Sequence, residues 1–349
     1  MTDMNWKKLK KYPIVRYAIV AAVLLLAVAV TGRAVLRHQR LPIEEPVFVC
    51  IPTGSDIDAV VDSLKVHDCM VSEGVFRKVA RVCRYTHHVK AGCYKLRPKM
   101  GVVQVVNKLY RGNQDAVKVT INKYRTRRDL AVFLGSKLEL SADSLLRALN
   151  SEEVTAEYGY TPQTILAMFI PNTYEIYWNT SVTKLMDRMR HESSAFWNDR
   201  RLSKLDRLGL TQVEVITLAS IVDEETNKND EKAKVASVYL NRLKKGMLLQ
   251  ADPTVKYAVG DFSLRRILNK HTQVDSPYNT YRYKGLPPGP ICIPSVASID
   301  AVLANKKTNY LYFCAKEDFS GYHNFAATLE EHQRNAQKFH EALNKRNIR

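Results

Sequence analysis

Apolar residues along this chain recur at every second position in some stretches and at three-to-four-residue intervals in others, and the switches between the two periods mark its elements. One run has neither period. Tyr17 to Gly32 is uncharged and mostly apolar, and Lys7, Lys8, Lys10, Lys11 and Arg16 precede it. Counted from Ile14, it approaches the roughly 20 residues that a membrane helix needs. Residues 14–32 are therefore read as a retained single-pass transmembrane helix, with 1–13 as a basic cytoplasmic tail. A cleaved signal peptide with its site at Ala27-Val28-Ala29 is the alternative. Either way, the chain beyond about residue 33 lies outside the cytoplasm.

Residues 33–46 are charged, hold two prolines and read as a linker. A first module follows over 47–115. It is expected to contain a strand at 47–51, a helix at 56–66 with Ile57, Val60, Val61 and Leu64 inward, a second helix at 71–82, a strand at 91–96 and a helix at 101–110. A second α+β module over 116–205 begins with a strand at 117–122 and continues with helices near 126–138 and 142–149. A loop at Phe169 to Tyr174 and a helix at 182–197 complete it. Aromatics in that loop suit either a sugar-stacking wall or ordinary packing.

The last module, 206–349, opens with the T-x-x-E spacing of a capping box, Thr211 and Glu214, just before an apolar run. In that helical register Leu218, Ile221, Val222 and Glu225 share one face. Glu224 looks back onto Thr217 and Ser220 on the polar side, with Asp223 between. Glu225 is thus aimed at the interior, where a carboxyl is either paired or kept for chemistry because apolar surroundings raise its pKa. Asp230 is read as the cap of a second helix that carries Val235, Val238 and Tyr239 and stops at Gly246. Asp252-Pro253 has the form of a helix start, and capping alone suffices to explain Asp252. A proline-fixed loop at Leu286 to Ile291, a strand at Tyr310 to Ala315 and a helix from Leu329 to Leu343 close the chain. His323 and His332 have two open roles, facing the site or hydrogen-bonding within the structure.

With 349 residues, 46% of them hydrophobic, the chain can bury a real core, and the order of elements makes it an α+β protein of two or three modules. The net charge of +18 calls for an acidic partner. With the body outside the cytoplasm, nucleic acid is set aside, and anionic lipid headgroups or the cell-wall polymer remain. Six cysteines occupy a compartment where disulfides persist. Four of them, Cys50, Cys69, Cys83 and Cys93, fall in the first module and allow three pairings among themselves. Buried free thiols are an equal alternative. Their spacing fits no zinc pattern, and neither metal nor cofactor is expected.

Five motifs share one resemblance: AGCYKLRP (91–98), FIPNTY (169–174), ASIVDEET (219–226), VASVYLNRL leading to GMLLQADPTVKY (235–257), and YNTYRYKGLPPGPI followed by HNF (278–325). Together they resemble the MltG/YceG-like family of endolytic murein (peptidoglycan) transglycosylases. The family's catalytic glutamate falls on Glu225. Asp223 stands where the family commonly has Glu, and Asn172 where the FIPNTY loop commonly has Asp. The resemblance implies a lyase of the bacterial inner membrane, with its catalytic domain periplasmic. It would cleave the β-1,4 bond between N-acetylmuramic acid and N-acetylglucosamine without water, leave 1,6-anhydro ends, and work beside membrane-bound peptidoglycan synthases. Gln250, Asp252, Thr254, Tyr257, Asn279, Thr280 and Tyr281 are candidates for the substrate groove, each with a purely structural role as its alternative. The strand–helix–helix–strand layout of 47–115 is similar to small peptidoglycan-binding LysM modules. A hydrolytic muramidase using Glu225 and Asp252, and a non-catalytic peptidoglycan-binding scaffold, are the competing functions.

Overall fold

The computed structural model describes residues 13–264 and 266–346. The basic cluster at Lys7 to Lys11 lies outside them. The chain forms two compact units, one running through Val117 and including Ile176–Asn179, the other made of Lys118–Glu175 and Thr180 onward.

The first unit begins with helix α1 (Pro13–His38), which continues past Gly32 into the first part of the segment expected as linker. Within it Tyr17–His38 contains an 18-residue window with a mean hydropathy of 2.5 and is, among the described residues, the one helix long and apolar enough to cross a membrane. Strand β1 (Val47–Ile51), helices α2 (Ile57–Val66) and α3 (Glu73–Val82), strand β2 (Gly92–Leu96) and helix α4 (Val102–Arg111) follow. Asp56 caps α2 by accepting from the Ala59 amide at 2.9 Å. Ser72 is the N-cap of α3, so that helix starts at residue 73 rather than 71. The strands are antiparallel, and Cys50 lies opposite Cys93. These two form a disulfide, while Cys69 and Cys83 are free thiols. Val49, Ile51, Val60, Val61, Leu64, Phe76, Leu96, Val106 and Leu109 fill the core.

The second unit is mixed α+β. Strand β3 (Val117–Ile121) pairs with β4 (Asn172–Ile176), and the Thr120 and Thr173 hydroxyls meet at 2.9 Å. Between them lie α5 (Arg127–Lys137), α6 (Ala142–Asn150) and α7 (Glu152–Glu157). The FIPNTY segment, expected as a loop, runs directly into β4. Phe169, Ile170 and Tyr174 are buried, and the Tyr174 phenol donates to the Ile170 carbonyl at 2.5 Å, so these aromatics pack the interior. Helices α8 (Val182–Phe196), α9 (Asp199–Leu208), α10 (Gln212–Glu225), α11 (Asn229–Lys244), α12 (Asp252–Val259), the short α13 (Asn269–Thr272) and α14 (Val296–Leu303) come next. The antiparallel pair β5 (Tyr312–Ala315) and β6 (His323–Ala326) and the terminal helix α15 (Leu329–Lys345) complete the fold.

The capping box at Thr211 and Glu214 is present on both sides, and it starts α10. The helix is not amphipathic, however. Every residue from Val215 to Asp223 is buried, including Thr217 and Ser220 on the side expected to be polar. Ser220 tolerates this because its hydroxyl donates to the Thr217 carbonyl (2.7 Å) and accepts from the Ile291 amide (3.0 Å). The proline loop is thereby fastened to α10. Gly289 is required in that loop, because a Cβ there would collide with the Gln163 carbonyl. Asp230 does not cap α11. The N-cap is Lys228 and makes no side-chain bond, while Asp230 lies in the first turn, where a carboxylate still suits the helix dipole.

Candidate active site

Three consecutive acids end α10, and their surroundings separate them. Asp223 is buried at 6% exposure against Lys232, which is 5% exposed. Its carboxylate takes the Lys232 ammonium at 2.9 Å and hydroxyl bonds from Ser295 and Ser298, both at 2.5 Å, and Lys123 lies at 3.2 Å. Burial opposes the charge, but these donors and cations prevail and hold Asp223 well below the usual carboxylate range. Glu224 forms a two-pronged pair with Arg125 (3.2 and 3.0 Å) and meets Lys123 at 2.9 Å. Both acids are committed to structure.

Glu225 has a different environment. Its partner is a phenol: Tyr239, one turn from the end of α11, donates to Oε1 at 2.6 Å. Burial raises the Glu225 carboxyl, the Tyr239 hydrogen bond pulls against it and the nearby Asp252 charge adds to it, and the balance lies at about 7. Side chains on both sides of the helix end are spoken for, and Glu225 faces a cleft of about 300 Å³ rather than the packed interior its register suggested.

The far wall of the cleft comes from the segment between α11 and α12. Arg242 braces it: Nε donates to the Leu311 carbonyl (2.7 Å), and Nη1 to the carbonyl of Leu249 (2.9 Å) and to Gln250 Oε1 (3.2 Å). Gln250 takes a left-handed φ of 51° and faces the cleft. Asp252 is the first residue of α12, and Ala251 is the N-cap, so the capping explanation for Asp252 fails. Its carboxylate instead accepts from the Tyr281 phenol at 2.6 Å, and both residues line the cleft.

The remaining groove candidates sit elsewhere. Thr254 and Thr280 are fully buried and share a hydroxyl contact of 2.8 Å, and Thr280 Oγ1 also accepts from the Ala251 amide at 3.0 Å. Asn279, also buried, donates to the carbonyls of Thr272 and Val274 and accepts from the Tyr281 amide at 3.1 Å. This hub sets the backbone that presents Asp252 and Tyr281, and none of its three members lines the cleft. Tyr257 packs on Tyr278 with centroids 4.6 Å apart, also away from the cleft.

Tyr239, Arg242 and Phe313 line the cleft although sequence reasoning did not single them out for it, and of the two histidines with open roles His332 lines it too. Tyr239 belongs to the apolar stripe of α11, and its hydroxyl is informative only once Glu225 is seen beside it. Phe313 stands edge-on to the Tyr239 ring at 5.9 Å. His332 stacks on Tyr312 at 5.2 Å; burial and the Arg242 charge lower its pKa, keeping the ring neutral. His323 has a structural place: it pairs through Nδ1 with the buried Glu231 at 3.0 Å. Among the described residues, no group of three or more His, Cys, Asp or Glu is arranged to hold a metal ion.

The chain as a whole is similar to several known proteins. The model of the YceG-like family matches residues 49–338. The endolytic murein transglycosylase of Bacillus subtilis (strain 168) is 29% identical over 331 residues, covering 90% of this chain and 91% of that protein. The endolytic murein transglycosylase of Streptococcus pneumoniae (strain D39) is 28% identical over 323 residues, covering 83% of this chain but only 57% of the longer pneumococcal protein. A YceG-like protein of Listeria monocytogenes, known from a 2.6 Å crystal structure, has a TM-score of 0.57 and 29% identity, over 84% of this chain and 99% of that one.

Proposed function

This chain belongs to the YceG-like family, and we propose that it is an endolytic murein transglycosylase in which Glu225 serves as acid and then base. The observation that carries this reading is a cleft carboxyl whose pKa is raised to about 7, beside two acids already neutralised by cations. A group with that pKa is protonated often enough at neutral pH to give a proton and ionised often enough to take one.

Tyr239 holds Oε1, which leaves Oε2 to carry the proton. That proton passes to the leaving glycosidic oxygen as the bond to C1 of N-acetylmuramic acid breaks through an oxocarbenium-like state. The resulting carboxylate removes the proton of the same sugar's 6-hydroxyl as O6 closes on C1. The products are a new 4-hydroxyl and a 1,6-anhydro end, with no water consumed. Attack by the same sugar's own 6-hydroxyl has the advantage of effective concentration, so no second carboxylate is needed. Tyr281, Gln250 and Asp252 offer hydrogen-bonding groups to the sugars, and Phe313 an apolar face.

The test is mass spectrometry of digested glycan strands. Wild type is expected to release anhydromuramic ends, and Glu225→Gln to lose activity by roughly 10²- to 10⁴-fold. Reducing ends without anhydromuramic acid would support the second reading, a hydrolytic muramidase. That reading has its own support in Asp252, which shares the cleft and has no capping duty.

The apolar helix supports a retained membrane anchor with the N-terminus cytoplasmic and the body outside. Protease accessibility in intact spheroplasts tests this. The antiparallel strand–helix–helix–strand of 47–96 supports a LysM-like, glycan-binding role for the module at 47–115, ahead of modules at 116–205 and 206–349. Placement beside the membrane suits strands as they emerge from membrane-bound synthases, and cutting them there would end their elongation.

A further inference from the structure

We propose that the cleft formed by Lys95, Arg97, Gln104 and Lys108 in the first unit binds the phosphate of an anionic membrane lipid. The inference rests on the reading that α1 spans a membrane. It starts from where α1 ends. The uncharged run stops at Gly32, and Arg33, Arg37, His38 and Arg40 follow. From Arg33 to Gln39 the helical rise is about 9 Å. The polar headgroup layer is roughly 5–8 Å deep on each side of the hydrocarbon. Gln39 to Leu41 therefore emerge at the outer edge of the headgroups.

The unit's backbone is fastened at that level. The Leu41 amide donates to the Met100 carbonyl at 2.9 Å and the Val102 amide to the Gln39 carbonyl at 3.0 Å, with Arg40 and Gly101 bridged between them. Leu36 and Met100 pack against the same core, so the turn at 97–101 is held to the end of α1 by both backbone and side chains. The turn is tight: Lys99 takes a left-handed φ of 62°, and the Met100 amide donates back to the Arg97 carbonyl. Arg97 and Lys99 are exposed on it.

Beside this turn is a cleft of about 380 Å³ lined by Lys95, Arg97, Met100, Gln104, Lys108 and Asp115. Its one carboxylate is engaged, since Asp115 takes Lys108 at 2.8 Å and the Lys95 amide at 2.8 Å. The lining retains a surplus of two positive charges. Lys95 also reaches over the exposed ring of Phe48, 5.5 Å from its centroid. A cavity, convergent cations and headgroup depth together favour a phosphate confined to that depth, as a lipid's is, over a carboxylate of the glycan.

The full chain is reconstituted in phosphatidylcholine vesicles, and its association with spin-labelled phosphatidylglycerol is compared with that of spin-labelled phosphatidylcholine. Wild type is expected to prefer phosphatidylglycerol, and the preference to fall roughly 5-fold for each cation removed in Arg97→Gln and in Lys95→Gln/Arg97→Gln. Equal association of the two lipids with wild type, or an unchanged preference in both variants, overturns the inference. Loss of the preference on adding millimolar inorganic phosphate assigns the cleft to a soluble anion, and loss on adding soluble muropeptides assigns it to the glycan; either result also overturns it. A chain that fails to incorporate into vesicles overturns the spanning reading and this inference together. Incorporation without lipid preference overturns the inference alone.

Discussion

Residues 223 to 225 are chemically near-identical acids in successive positions, yet each meets a different set of neighbours. Asp223 faces an ammonium and two hydroxyls, Glu224 a guanidinium, and Glu225 a phenol. A phenol can donate to a carboxylate without neutralising it, so burial prevails at Glu225 and leaves it poised near neutrality. Tyr239→Phe removes the contribution that lowers the Glu225 pKa, so the acid form should persist to higher pH. The alkaline limb of the pH–rate profile is expected to move up by about 1 to 2 pH units, as a hydrogen bond to a charged group implies. Activity at the optimum should fall roughly 10- to 100-fold. An unmoved limb would show that the phenol does not set the pKa. At this scale the sequence went far: helical register separates Glu225 from Glu224, since the two lie about 100° apart around the axis. It misplaced Asp223, because the Lys232 and Ser298 that hold it come from other helices.

At the scale of elements, α10 is the central support of the second unit, and what fixes its end is the buried pair of Asp223 and Lys232. Breaking one side of such a pair leaves an uncompensated charge. Asp223→Asn is therefore expected to destabilise the second unit by about 3–5 kcal/mol at pH 7. The folded pKa of Asp223 lies below its unfolded value, so its stabilisation is present above about pH 4 and is lost as pH falls toward the folded pKa. The difference in thermal midpoint between variant and wild type should accordingly shrink on acidification below pH 4. A gap independent of pH would rule out the ionic account. The capping box predicted where α10 starts because capping is local, involving residues three apart. Burial of its polar side was not legible, since α14 and the proline loop that cover it lie some 70 residues away in sequence. Asp252 shows the same limit in reverse: a plausible local cap gives way to a bond with Tyr281, 29 residues on.

For the molecule as a whole, the two units stand on different supports. The first closes its strands with the Cys50–Cys93 disulfide, which spans 43 residues. A loop of that length contributes up to about 4 kcal/mol by the chain-entropy account. Cys50→Ala/Cys93→Ala is expected to lower amide protection in β1 and β2 while leaving α10 protected, as hydrogen exchange would show. Equal loss in both places would mean that the cystine supports more than its own unit. Sequence alone determined the apolar span, the mixed α+β character, the positions of most helices and the motifs that mark the YceG-like family, because each depends on periodicity, composition or the order of short segments. Tertiary structure alone decided which cysteines pair, which groove candidates reach the cleft and which form the hub beneath it. It also decided that Tyr239 is the partner of Glu225. Those outcomes depend on contacts between residues far apart in the chain, which no local pattern encodes.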